Sequence, residues 1–156
     1  MKKEIYLDEL DKKILNDLID DARKPFLEIA RECGISGAAI HQRFQRLQKS
    51  GIIKGSNLII DYKKLGYSTI AYVGVYLDNA RLLHEVLNKL EKIPEIIQCH
   101  YTTGQYALFL KVIAKDNEHL RKILSDKIQS INGISRTETF ISLDILINRQ
   151  FPLLDD

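Results

Sequence analysis

The sequence has no tryptophan, one methionine, three prolines and two cysteines, and its formal charge is only +2 over 156 residues. Each shortage excludes something. Cys33 and Cys99 form no CxxC and no metal-type cluster, so a disulfide framework and a zinc site are not expected, and both read as buried free thiols. No stretch approaches the ~18 consecutive apolar residues of a membrane span. The opening MKKEIYLDELDKK has charges but no apolar core, so a secretory signal is not expected, and the reading places the chain in the cytoplasm with no membrane partner. His41, His84, His100 and His119 are scattered without an HExxH pair, and no carboxylates or Cys/His spacing resemble a metal or nucleophile site. No catalytic residue, metal or cofactor is therefore expected.

What is present is an ordinary apolar content and a strong helical rhythm near the N-terminus. Leu7 to Asp20 predicts a first helix, with Asp8 as N-cap and Leu7, Leu10, Ile14, Leu15 and Leu18 on its buried side. Phe26 to Gly51 then reads as two short helices about a turn at Cys33-Gly34-Ile35. Ile29, Ala30 and Cys33 form one apolar stripe and Ile40, Phe44 and Leu47 the other. Gly34 can end the first helix at positive φ and Ser36 can cap the second. This is helix-turn-helix grammar.

The outward face of the second helix is bare of charge, with Gly37, Ala38, His41, Gln42 and Gln45 where a solvated helix carries Glu and Lys. Small residues let a helix enter the major groove of duplex DNA, and His or Gln can then read base edges. His41 and Gln42 are the candidate readers, and Ser36, Gly37 and Ala38 line the entry. Basic residues concentrate here as well: Arg23, Lys24, Arg31, Arg43, Arg46, Lys49 and Lys54 face only Glu28 and Glu32 between Ala22 and Ile60. Arg43, Arg46 and Lys54 are the candidate phosphate contacts, although Arg43 could equally pair with a carboxylate of the first helix. Ile52 to Ile60 reads as a two-stranded wing about Gly-Ser-Asn. The rival reading is an oligomeric metabolite-binding module whose helical domain packs but does not bind DNA.

Asp61 to Tyr67 reads as a linker. Beyond it the order is strand (Thr69 to Leu77), helix capped by Asn79 and closed by Pro94, strands Ile96 to Thr102 and Tyr106 to Ala114, helix from Asn117, and strand Ser135 to about Leu143. That order predicts an α+β chain: a winged helix-turn-helix over residues 1–60, linker 61–67, and a ferredoxin-like βαββαβ domain over 68–156. One sheet face should stay open, with Tyr72, Tyr76 and Val112 lining it and a second copy covering it.

LDELDKKIL, DDAR, EIARECGIS, RFQRL, SGIIKG, KKLGY, YTTGQYALFLKV and GISRTETFISL together resemble the Lrp/AsnC, or feast/famine, family of transcription regulators over nearly the whole chain. The resemblance implies double-stranded DNA, an amino-acid effector and self-association, from dimer to octamer. It also implies an effector site between dimers at the loop Tyr101, Thr102, Thr103, Gly104, Gln105 and Tyr106. Where many family members have an aspartate just after the aromatic, this chain has Ala107. The YTTG-aromatic run followed by KIQSI and TET is more similar to the asparagine-responsive branch, which adds Gln129 and Thr139 as side-chain contacts, Thr137 as a weaker one, and asparagine as the favoured effector. For the loop itself, a tight hairpin needing Gly104 only for its backbone angles is the competing reading.

Overall fold

The computed structural model describes residues 6–153, so the outermost residues of the expected domain spans lie outside it. The chain divides into two units: Met1–Ile59 together with Ile147–Asp156, and Ile60–Leu146. The expected second domain, 68–156, includes the C-terminal segment that groups here with the first unit.

The first unit is built on three helices, α1 (Glu9–Asp20), α2 (Phe26–Cys33) and α3 (Gly37–Lys49). Asp8 and Asp11 form a reciprocal cap at the start of α1, Asp11 N–H donating to Asp8 Oδ1 at 2.8 Å and Asp8 N–H to Asp11 Oδ2 at 3.2 Å, which satisfies two otherwise orphaned donors. Gly34 ends α2 in the left-handed region at φ 67°. Ile14, Ile29, Ala30 and Ile40 form the buried centre, with Leu10, Leu18, Phe26, Cys33 and Ile35 packed around it.

The expected wing is corrected. No strand forms between 52 and 60; the N–H groups of Ile52 and Ile53 turn back to Leu47 O at 3.1 and 3.2 Å. A two-stranded hairpin without a covered face is marginal, and Leu58 and Ile59 stand exposed, so nothing in this unit rewards the pairing.

The second unit is a four-stranded antiparallel sheet ordered β2-β3-β1-β4, from β1 (Thr69–Leu77), β2 (Ile96–Tyr101), β3 (Leu108–Ala114) and β4 (Ile134–Ser142). A 3-10 turn capped by Asn79 leads into α4 (Leu83–Leu90). α5 (Asn117–Lys122) is capped by Asp116 and runs on as a π-helix, Ile123–Ile128, closed by Gln129 N–H donating to Leu124 O at 2.8 Å. Ala71, Val73 and Val75 of β1, Leu108, Leu110 and Val112 of β3, and Val86, Leu90, Leu120 and Ile123 of the helices make one core. Val112 is therefore corrected to the helix-covered face, since it sits in register with buried Ala71. The open face carries Tyr72 stacked on Phe109, and Phe109 stacked in turn on Tyr106. Cys33 is half-buried, but Cys99 is exposed because β2 is an edge strand, against the expectation of two buried thiols. Among the described residues no helix is long and apolar enough to cross a membrane.

Candidate DNA-reading face and effector site

Ser36 Oγ accepts from Ala39 N–H at 3.2 Å, fixing the first turn of α3. Ile40 and Leu47 are fully buried, and Phe44 packs on Phe26 with ring centroids 5.0 Å apart. That burial leaves Ala38, His41, Gln42 and Gln45 exposed on the outer side. Gly37 sits against Leu27, where an added Cβ would lie 3.0 Å from Leu27 Cδ2. Gln45 Nε2 lies 2.9 Å from His41 Nε2, so with the amide as donor His41 carries its proton on Nδ1. Among the described residues Gln42 has no side-chain hydrogen-bond partner, and it presents its full donor and acceptor pair to solvent.

Arg43 takes the alternative that its sequence position left open, a carboxylate at the first helix. Arg43 Nη1 donates to both oxygens of Asp8, at 2.9 and 2.7 Å, and to Asp11 Oδ1 at 2.9 Å. Arg46 Nη2 donates to the other oxygen of Asp11, a side chain with no exposed surface. A buried carboxylate needs such partners. Arg43 is thereby withdrawn from the phosphate contacts, because its guanidinium already clamps α3 to α1. Arg46 is half exposed and keeps the rest of its guanidinium in solvent. The Arg43 guanidinium, aided by the Asp11 N–H, holds the Asp8 carboxyl below its ordinary value. Lys24 is likewise engaged, with Asp17 at 3.1 Å and Glu32 at 2.8 Å. Lys54 is exposed with no ion pair among the described residues, and so are Arg23, Arg31 and Lys49. Those last three are free cations that residue order alone did not separate from the engaged ones. Asp11 was likewise missed as the anchor, though the Asp-x-x-Asp spacing before an apolar run was its signal.

In the sheet unit, Tyr101, Gly104 and Gln105 line a cavity of about 230 Å³ with Tyr76, Leu77, Ala80, Leu83 and Ala107. Thr102 Oγ1 donates to Tyr106 O, and Thr102 N–H to Ala107 O at 3.1 Å, which closes the loop on itself; Thr103 is exposed. Tyr106 turns away onto the open sheet face. Its hydroxyl donates to Glu138 Oε2 at 2.8 Å, while Tyr76 OH and Arg136 Nη2 donate to Glu138 Oε1 at 3.1 and 2.8 Å. The Tyr106 and Tyr76 hydroxyls hold Glu138 below its ordinary value, and the bond to Glu138 raises Tyr106. Gly74 makes this geometry possible, since a Cβ there would lie 2.4 Å from the Tyr106 ring. Glu138, Arg136 and Gly74 escaped the sequence reading because they act across strands whose register was not known.

Gln129 and Thr139 do not line the cavity within one chain. Gln129 Nε2 donates instead to Thr137 Oγ1 at 2.8 Å, the residue ranked weaker, and Thr139 pairs in register with Val73 on the helix-covered side of the edge strand. Gly104 is not in the left-handed region, and an added Cβ would meet nothing within 4 Å. Its backbone angles therefore do not require glycine, although the loop does close as a hairpin turn between β2 and β3.

Family models match both units: the AsnC-type helix-turn-helix domain over residues 7–48 and the Lrp/AsnC ligand binding domain over residues 70–150. The chain belongs to the Lrp/AsnC family. It is 43% identical to the regulatory protein AsnC of Haemophilus influenzae over 150 residues, 96% of each chain. It is 41% identical to the HTH-type transcriptional regulator FL11 of Pyrococcus horikoshii over 139 residues, 89% of this chain and 91% of that one. The solved structure of Escherichia coli AsnC superposes with a TM-score of 0.92 at 36% identity, covering 96% of this chain and all of that one. The protein is thus a DNA-binding transcription regulator with a ligand-binding domain, in a family of regulators rather than enzymes.

Proposed function

We propose that this regulator reads operator DNA through Gln42, with His41 and Gln45 acting as a linked pair beside it, and responds to asparagine. The carrying observation is the outer side of α3, where an unengaged Gln42 amide stands on a helix whose entry turn has only Gly37 and Ala38. Ser36 supports it by its cap, while Arg46 and Lys54 contact phosphate with Arg23, Arg31 and Lys49 beside them. Domain roles follow as residues 1–60 for DNA, 61–67 as linker and 68–156 for effector and assembly, with the cytoplasm as the site of action.

The effector sits at the loop 101–106, where Tyr101 and Gln105 offer hydrogen bonds and the bare Gly104 lets a carboxylate approach the backbone. Gln129 and Thr139 reach it from a neighbouring dimer of an octamer. The dimer closes over the aromatic face of Tyr72, Tyr76 and Phe109, since uncovered apolar sheet surface is buried most simply against a second copy. A Neisseria meningitidis regulator of the same fold, at TM-score 0.89 and 19% identity, is known as an L-Met complex, so methionine is the natural competitor to test. Isothermal titration with asparagine, glutamine and methionine decides: asparagine should bind most tightly, and binding of none of the three contradicts the effector assignment. The non-DNA module is the losing alternative if operator fragments shift in a gel at moderate salt.

A further inference from the structure

The C-terminal segment returns to the helical unit, where Asn16 bonds to it through both polar groups of its side chain. After β4 ends at Ser142, Leu143, Leu146 and Ile147 run exposed, and from Ile147 onward the chain groups with the residues before Ile60. On α1, Asn16 Nδ2 donates to Leu153 O at 2.8 Å, and Leu153 N–H donates to Asn16 Oδ1 at 2.9 Å. A carboxamide that takes both polar groups of one residue reproduces a strand-to-strand pairing, and both residues are partly buried. The polypeptide therefore passes between the units twice, once at Ile59 and Ile60 and again at Leu146 and Ile147.

We infer that Asn16 is a positioning residue for regulation: by clamping Leu153 it makes the C-terminal segment a second tether between the effector domain and the reading helix. The tether starts from β4, whose Glu138 holds Tyr106 at the end of the effector loop. It ends on α1, whose Asp11 grips Arg43 and Arg46 of α3. A single flexible linker would let the effector domain move without moving α3, whereas two attachments convert a shift of β4 into a change in the freedom of α3. The inference rests on the proposed effector reading, and its test separates the two.

Operator affinity is measured with and without asparagine for the wild type, Asn16→Ala and Leu153→Pro. Alanine is the better helix former, so Asn16→Ala removes the clamp without weakening α1, and Leu153→Pro removes the N–H from the other side. The wild type is expected to change affinity by a factor in the usual allosteric range, about 5–150-fold. Both variants should bring that factor to within about twofold of one while still binding asparagine. Retention of the full factor by Asn16→Ala overturns the inference. If the wild type binds no asparagine, the effector reading has failed, and the tether is judged on DNA alone with operators whose half-sites are moved apart by whole and half turns. Broader spacing tolerance in both variants supports it; identical tolerance overturns it.

Discussion

The two units are stabilised in different ways. The sheet unit buries a continuous apolar layer between its strands and α4 and α5. The helical unit has a small centre of Ile14, Ile29, Ala30 and Ile40 and adds to it the fully buried Asp11, gripped by two arginines from α3. A small core supplies little hydrophobic stabilisation, so the orientation of α3 depends on directional ion pairs. That dependence suits a helix whose outer side must be presented at one angle. In the sheet unit a comparable polar network, centred on Glu138, lies on the open face and ties the loop end at Tyr106 to Tyr76 of β1 and Arg136 of β4.

Several substitutions break or sharpen this contrast. Ile40→Ala removes a fully buried side chain from the smaller core and should cost ~2–5 kcal/mol, so DNA binding is lost in a gel shift while asparagine titration is unchanged. Asp11→Ala deletes the anchor of α3. Its arginines regain water, which limits the cost to ~1–3 kcal/mol, seen as an earlier transition of the helical unit in denaturant, with Asp11→Asn intermediate. Gly74→Ala pushes a Cβ into the Tyr106 ring and should cost ~1–3 kcal/mol together with effector affinity. Gly104→Ala, by contrast, meets no neighbour in the chain and should leave stability within about 0.5 kcal/mol, yet weaken the effector in calorimetry.

The smallest effect is on acid stability. Asp8, Glu32, Glu95 and Glu138 are all held below their ordinary values of 3.8, 4.5, 4.5 and 4.5. A lowered folded value means that their contribution is complete above those ordinary values and is lost as the pH falls through the lowered ones. Thermal melts should therefore be flat from neutrality to about pH 5 and fall below pH 4 for both units, each of which holds two of the four. Asp8→Asn should flatten that fall.

Local chemistry was legible in the residues and long-range geometry was not. Asp8, Gly34 and Ser36 announce helix ends because capping is a matter of three or four neighbouring residues, and β1 runs from Thr69 to Leu77 as its β-branched and aromatic run predicts. The wing failed because a strand needs a covered partner, which periodicity does not supply. Val112 was assigned to the wrong face because a one-residue error of register exchanges the two faces. Arg43 stayed open between phosphate and a first-helix carboxylate because its partners, Asp8 and Asp11, lie more than thirty residues away in the chain. Gln129 and Thr137 meet across the end of a π-helix that shifts the helical phase by a fraction of a turn, and the tail's return to Asn16 leaves no local trace at all.

The account turns on the outer side of α3, and a comparison of Gln42→Ala with Lys54→Ala across operator variants and salt concentrations tests it most directly. Gln42→Ala should reduce the preference for the best operator by ~1–3 kcal/mol with an unchanged salt slope. Lys54→Ala should weaken every sequence alike and lower the slope by about one. Equal losses for both variants on every operator would contradict the claim that this face reads bases.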